Sequence, residues 1–236
     1  MIVGIMGVGL LGGSMGYKLR KTGWADKVIG IGRTESKLQK AIELETIDEY
    51  ELSINEKLKE VDILILAVPV NLIPKFAIKA SQYIKKGSII TDVGSTKKKL
   101  TQEIEMDLND DIHFIGGHPM AGSEKVGVEA FDPNLFENAI YVITETEKTD
   151  KKAFNIVKDM AITLKALPLK MDVDNHDFSV AAISHLPHIT AASLVNCVDK
   201  VDNEQNHILA LAAGGFKDST RIASGSPVMW RDICLN

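Results

Sequence analysis

Short apolar segments alternate with amphipathic segments along the first 171 residues of the chain. The apolar segments are rich in β-branched residues on both faces, which is typical of buried parallel strands. They lie at residues 2–6, 27–31, 62–67, 88–92, 113–115, 139–144 and 166–171. Helical periodicity is found at residues 11–19, 34–44, 72–84, 97–106 and 150–164. This alternation predicts an α/β fold with a doubly wound, mostly parallel sheet.

The pattern changes after residue 171. Residues 174–197 are rich in Ala, Ile, Leu and His, and they predict one long helix that Pro187 should kink. A second helix is predicted at residues 203–213. We therefore expect two domains, one at residues 1–171 and a smaller all-helical one at residues 172–236.

Composition narrows the class of protein. The chain has 236 residues, 45% of them hydrophobic and 25% charged, with a formal net charge of −5. This balance argues against nucleic acid as a partner, and no apolar run approaches the length of a membrane span. The first strand begins at residue 2, so we expect no signal peptide. Cys197 and Cys234 are the two cysteines, and we expect both to be reduced in a cytoplasmic protein.

The first strand runs into a glycine fingerprint. Gly7, Gly9 and Gly12 have the GxGxxG spacing, and Leu10 and Leu11 begin the helix that follows. In this motif the glycines allow a tight turn, close approach of a pyrophosphate and close helix packing. The segment therefore predicts a dinucleotide-binding domain.

The end of the second strand bears on the choice of cofactor. An acidic residue there would bond the ribose 2′-hydroxyl of NAD, but Gly32 stands in that place and Arg33 and Thr34 follow. A guanidinium and a hydroxyl suit a 2′-phosphate. We therefore favour NADP, with NAD left open and Arg33 as a plain surface residue as the alternative.

Further candidates follow the later strands. Val68 and Pro69 end the third strand, and Ser95 follows the fourth, where it could contact a ligand, cap a helix or do both. His118 lies in the glycine-rich segment 116–127, which we interpret as a loop with no evident packing role. A histidine in such a loop can exchange a proton near neutral pH.

The helical region contributes a second set of candidates. Ser184, His185 and His188 are close in sequence, and Arg221 is suited to hold a carboxylate through two parallel bonds. His176, Asp177, His185 and His188 could form a metal site, but no known metal-ligand spacing is present, so we expect none.

Together these segments resemble the prephenate dehydrogenase family, which includes arogenate and cyclohexadienyl dehydrogenases. The resemblance extends over nearly the whole chain. It rests on the glycine fingerprint, Asp92–Ser95, Gly117–Glu124, Ser184–His188 and the Gly214–Ala223 segment.

The resemblance implies a Rossmann-like domain and oxidative decarboxylation of prephenate with hydride transfer to NAD(P), a step of tyrosine biosynthesis. His118 would be the base for the ring hydroxyl and Ser95 would bond the same region. Arg221 would hold a substrate carboxylate, with His188 beside it. The other implied substrate residues are Glu124, as a guard of the site, together with Ser184 and His185.

The resemblance also implies a homodimer and leaves alternatives open. Relatives continue with further helices beyond the point that matches Asn236, so we expect a shortened or minimal form here. The substrate could instead be arogenate, which differs from prephenate in its side chain. Two other readings are a different reductase of the same architecture and a cofactor-binding protein without turnover.

Overall fold

The protein is described as a computed structural model that covers residues 1–122, 125, 127–203 and 206–236. A six-stranded parallel sheet forms its centre, in the order β3-β2-β1-β4-β5-β6. The strands are β1 (Ile2–Met6), β2 (Lys27–Ile31), β3 (Glu49–Glu51), β4 (Ile63–Leu66), β5 (Ile89–Asp92) and β6 (His113–Ile115). The predicted doubly wound sheet is therefore confirmed, and β3 is a strand that the sequence pattern did not reveal.

Helices cover both faces of this sheet. They are α1 (Leu10–Lys21), α2 (Glu35–Glu43), α3 (Ile73–Ser81), α4 (Lys98–Asp107) and α5 (Lys151–Thr163). One apolar layer packs α1 and α5 on one face, and a second packs α3 and α4 on the other. Alternate residues of β1 and β4 supply the two layers, because successive side chains of a strand point to opposite faces.

A second, three-stranded sheet adjoins the first. It contains β7 (Gly117–Pro119), β8 (Ile140–Glu145) and β9 (Leu167–Asp172), with β7 antiparallel to β8 and β9 parallel to it. The interpretation of residues 116–127 as a loop is therefore wrong for β7. A Cβ on Gly116 would lie 2.4 Å from Thr144 Oγ1, and one on Gly117 would lie 2.6 Å from the Asp92 carbonyl oxygen. These glycines have a packing role, contrary to the sequence interpretation.

The remaining chain is helical. It contains α6 (Val173–Val180), α7 (Leu186–Asp199), α8 (Gly214–Thr220) and α9 (Pro227–Leu235). A π turn, Ala181–His185, joins α6 to α7 and places Pro187 in the first turn of α7. The helix predicted at 203–213 is wrong for the described residues there, which contain a short 3-10 turn, Leu209–Leu211. Asn206 Nδ2 donates to the Val201 carbonyl instead, and such local bonds compete with a helix.

We expected no apolar run to approach the length of a membrane span, and this expectation is also wrong. Val173–Asp199 is one continuous helix of 27 residues whose mean hydropathy reaches 1.3 over an 18-residue window, which is enough by length and composition alone. Polar residues such as Asp174, Asn175 and Ser184 interrupt its apolar runs, so the sequence pattern did not reveal its length. Most of the helix is exposed, including Phe178 at 77% and Ile183 at 73%. This exposed apolar surface has no partner among the described residues.

Candidate active site

The glycine fingerprint forms an open cradle at the carboxyl edge of β1. Gly7 has a φ of +93°, and a Cβ there would lie 2.3 Å from the Ala67 carbonyl oxygen, next to Val68 and Pro69. A Cβ on Gly12 would lie 2.3 Å from the Gly7 carbonyl oxygen. Both positions need glycine for packing alone. A Cβ on Gly9, in contrast, would meet no protein atom within 4 Å.

The open space at Gly9 lies where α1 begins. Gly9 is the N-cap of this helix, and among the described residues no side chain caps the first N–H groups of the helix, those of Leu10 and Leu11 included. Free N–H groups at a helix N-terminus favour an anion. The cradle therefore fits the pyrophosphate of a dinucleotide.

The end of β2 lies on the adenosine side that such a cradle implies. The Gly32 N–H donates to the Glu51 carbonyl of β3, and Arg33 and Thr34 are exposed before α2. The Arg33 guanidinium makes no hydrogen bond or ion pair with any described residue. Its charge is available to a ligand.

Asp92 and Lys97 form a buried ion pair at the carboxyl end of β5. Both side chains are fully buried, and the Lys97 ammonium contacts Asp92 Oδ2. The same carboxylate accepts the Gly94 N–H at 2.8 Å and, through Oδ1, the Gly117 N–H at 3.0 Å. Asp92 therefore holds the start of β7 against the end of β5. Burial lowers the pKa of Lys97, although Asp92 opposes this shift.

His118 is the central residue of β7 and is buried. Its Nδ1 lies 2.8 Å from Nε2 of His176 on α6, and the two rings meet edge to face. His176 Nδ1 in turn lies 2.6 Å from Asp177 Oδ1. A line of hydrogen bonds therefore joins the sheet to the helical region.

Asp177 also caps α4. The Lys97 and Lys98 N–H groups donate to its two carboxylate oxygens at 2.8 and 2.9 Å. The N-cap position of α4 is Lys97, so the alternative of Ser95 as that cap is wrong. Ser95 is half-buried in the turn between β5 and α4, near the backbone that Asp177 fixes.

These contacts determine the charge states of His118 and Asp177. Burial, the charge of Lys97 and the neighbouring His176 and His185 hold the pKa of His118 well below its usual range, against Asp177. Burial alone would raise the pKa of Asp177, but the hydrogen bonds from His176, Lys98 and Lys97 outweigh it and lower that pKa. At neutral pH His118 is a neutral imidazole and Asp177 is a carboxylate.

A second histidine cluster lies further along the helix. His188 stacks on Trp230 of α9 with ring centroids 3.5 Å apart, and His185 meets the edge of Trp230 at 5.9 Å. His188 Nε2 is buried with no hydrogen-bond partner among the described residues. Burial lowers the pKa of both histidines. His188 is thus held by stacking on Trp230, and its Nε2 is shielded from solvent.

The other sequence candidates are less closely joined. Ser184 is half-buried in the π turn. Arg221 is exposed after α8, and its guanidinium makes no ion pair with any described residue. Glu124 lies outside the described residues. Within the described part of the chain, no three His, Cys, Asp or Glu side chains are grouped to hold a metal.

His176, Asp177 and Trp230 were missed as site residues in the sequence. His176 and Asp177 were weighed only as metal ligands, although an adjacent His-Asp pair at the start of a helix is itself a signal. Trp230 carries no such signal, because its contact with His188 joins residues far apart along the chain. The run Lys97, Lys98 and Lys99 has the sequence pattern of a solvated helix face, whereas the side chain of Lys97 is fully buried.

Comparison with known proteins gives one consistent answer. Residues 15–168 match the family model for the prephenate dehydrogenase nucleotide-binding domain, and residues 172–236 match that for the prephenate dehydrogenase dimerization domain. A prephenate dehydrogenase of Bacillus subtilis is 40% identical over 98% of this chain. The chain spans 63% of that relative, just under two thirds of its length.

Solved structures agree with this. Prephenate dehydrogenase from A. aeolicus, in complex with hydroxyphenyl propionate and NAD+, matches with a TM-score of 0.94 at 37% identity. The match covers 100% of this chain and 82% of the A. aeolicus chain. Synechocystis arogenate dehydrogenase matches with a TM-score of 0.85 at 32% identity, and the match covers 100% of this chain and 83% of the Synechocystis chain.

The depressed pKa of His118 predicts a pH-dependent stability. Unfolded His118 binds a proton below about pH 6.5 and the native residue does not, so the free energy of unfolding should fall as pH falls through that value. The loss should approach ~1.4 kcal/mol per pH unit for this residue. Urea unfolding at pH 7.5, 6.5 and 5.5 measures it.

The control is a pair of substitutions. His118→Gln should reduce the slope, while His207→Gln, at an exposed histidine, should leave it unchanged. Equal slopes in wild type and His118→Gln would show that His118 is not held neutral.

Proposed function

Since the chain belongs to the prephenate dehydrogenase family, we propose that it catalyses oxidative decarboxylation of prephenate to 4-hydroxyphenylpyruvate with hydride transfer to NAD(P). The observation that carries the proposal is the buried, neutral His118 at the sheet edge that also holds the dinucleotide cradle. A neutral imidazole beside a hydride acceptor is the arrangement that oxidation of an alcohol requires.

The chemistry balances without net proton release. A nicotinamide cofactor held at the cradle of Gly7, Gly9 and Gly12 would supply the acceptor for the hydride of the hydroxyl-bearing ring carbon. His118 takes the hydroxyl proton as the C–O bond becomes a carbonyl. The ring carboxylate then leaves as carbon dioxide, its bonding electrons make the ring aromatic, and His118 returns the proton to the phenolic oxygen. The gain of aromaticity makes the sequence one-way.

The remaining site residues would position the substrate. His188, Ser184 and His185 would contact the substrate from the helical region, and Ser95 would contact it from the turn after β5. Arg221 would clamp a carboxylate through two parallel bonds, for which its free guanidinium is suited. Glu124 would guard the entrance.

Two alternatives remain part of the proposal. Arogenate differs from prephenate by an amino group in place of the keto group, and the similar Synechocystis protein is an arogenate dehydrogenase. The other alternative is cofactor binding without turnover. The first step, loss of hydride from the ring alcohol, is the same for both substrates.

We propose NADP as the preferred cofactor, with NAD possible. Gly32 replaces the acidic side chain that would repel a 2′-phosphate, and the exposed Arg33 and Thr34 follow it. We further propose a division at residues 171/172, a cytoplasmic location and a homodimer. The exposed apolar face of Val173–Asp199 and the match to a dimerization domain support the dimer.

Turnover is the direct test of the activity. Purified protein with NADP and prephenate, or with arogenate in parallel, should form reduced nicotinamide and carbon dioxide in equal amounts. His118→Asn should lower kcat by roughly 10²–10⁴ with little change in cofactor affinity, as expected of a general base. His207→Asn, at an exposed histidine, is the control. Dinucleotide binding with no turnover of either substrate would overturn the proposal.

Arg33→Ala tests the cofactor preference. Loss of a charged hydrogen bond should weaken NADP binding by about 1–3 kcal/mol and leave NAD nearly unaffected. Calorimetric titration of both cofactors measures this, with Lys37→Ala, at an exposed position of α2, as the matched control. Equal losses for both cofactors would contradict a 2′-phosphate contact.

Charge on the exposed helix face should separate the subunits. Ile183 in the π turn and Met106 on α4 are both 73% exposed, so Ile183→Glu and Met106→Glu form a matched pair. In analytical ultracentrifugation at micromolar concentration, wild type and Met106→Glu should sediment as dimers and Ile183→Glu as a monomer. A wild-type monomer with full activity would refute the dimer.

A further inference from the structure

The line of hydrogen bonds from His118 to Asp177 determines where the proton on each ring lies. Asp177 is ionised, so it can only accept. His176 Nδ1, 2.6 Å from Asp177 Oδ1, must therefore carry a proton and donate it. A histidine that carries a single proton on Nδ1 has its other nitrogen, Nε2, free to accept a hydrogen bond, and this is the form of His176 that the proposal takes.

This assignment passes on to His118. His176 Nε2 has a lone pair, and His118 Nδ1 lies 2.8 Å from it, so the proton between them belongs to His118 Nδ1. A neutral imidazole has one N–H. His118 Nε2 is therefore left unprotonated, with its lone pair available to a substrate.

From this geometry we propose that His176 and Asp177 are positioning residues that fix the tautomer of His118, so that Nε2 is the nitrogen that takes the substrate's hydroxyl proton. The proposal rests on the proposed dehydrogenase activity. Neither residue needs to touch the substrate, since both act through His118.

Asp177 is well placed for this role because its own orientation is fixed. Both of its oxygens accept backbone N–H groups at the start of α4, and a helix N-terminus favours a negative charge. The carboxylate can neither rotate nor be protonated without losing these bonds. The direction of the whole line is therefore set by the backbone of α4.

The line positions His118 rather than carrying its proton away. The proposed reaction returns the hydroxyl proton to the phenolic oxygen, so no proton has to leave the site. After His118 accepts the proton, its Nδ1–H still donates to His176, and the carboxylate beyond favours the positive charge. The same line therefore orients the base and stabilises its protonated form.

Two substitutions of His176 separate positioning from simple packing. The amide of Gln reaches the place of Nε2, so His176→Gln keeps an acceptor for His118. The shorter Asn reaches only the place of Nδ1, so His176→Asn keeps the contact with Asp177 and loses the one with His118. We expect His176→Asn to lower kcat about tenfold or more with KM little changed, and His176→Gln to recover most of kcat.

Nitrogen NMR of histidine-labelled protein gives a readout that does not depend on activity. In the wild type without ligands, His118, assigned by its loss in His118→Gln, should carry its proton on Nδ1. In His176→Asn the spectrum should show a mixture of tautomers, and in His176→Gln the Nδ1–H form should persist.

The outcomes decide between the two proposals. A wild-type His118 with its proton on Nε2, or equal kcat in His176→Asn and wild type, would overturn the positioning role. Equal losses of kcat in both His176 variants with the Nδ1–H form unchanged would also overturn it. A wild type that turns over neither prephenate nor arogenate would instead overturn the proposed function, and the tautomer would still be read from the NMR spectrum.

Discussion

One carboxylate, that of Asp177, ties the helical region to the sheet edge on which the site is built. It accepts the first N–H groups of α4, which would otherwise be unsatisfied, and it accepts from His176. Through His176 it also sets the orientation of His118. The element that follows β5 is α4, and Ser95 lies in the turn between them. The contacts of Asp177 with α4 therefore position His118 relative to the same strand end that carries Ser95. A displacement of α6 would therefore move the base and uncap α4 together.

The buried ion pair of Asp92 and Lys97 also acts on His118, through the start of β7. Two charges removed from water are costly unless further hydrogen bonds satisfy them, and the N–H groups of Gly94 and Gly117 supply these bonds to Asp92. The N–H of Gly117 precedes His118 directly, so the pair fixes the start of β7. The charge of Lys97 also helps to keep His118 neutral. The ion pair thus contributes to both the position and the ionisation of the base.

The sequence predicted the main sheet and most of its helices because buried parallel strands and amphipathic helices leave periodic patterns. It missed β3, in which two of the three residues are glutamates, and β7, in which a glycine and a proline flank His118 as they do in many loops. At the site, Gly7, Gly9, Gly12 and His118 had local signals. His176 is a site residue because it contacts His118, which is 58 residues away along the chain, and such a contact exists only after folding. Lys97 looked solvated for the same reason, since Asp92 is what makes its burial possible.

The π turn explains how one helix serves both histidine clusters. His176 and Val180 are buried on α6, and a regular α-helix continued from them would turn Pro187 to the same face. The π turn, Ala181–His185, has an extra residue in its hydrogen-bonded ring and so shifts the face by about one position. His188 and Ala191 become the buried residues instead, and His188 meets Trp230. Pro187, which lacks an N–H, directly follows the π turn, where the hydrogen-bond pattern of the helix changes and a residue that donates no bond is tolerated. The proline therefore favours the shift in register that turns His188 towards Trp230.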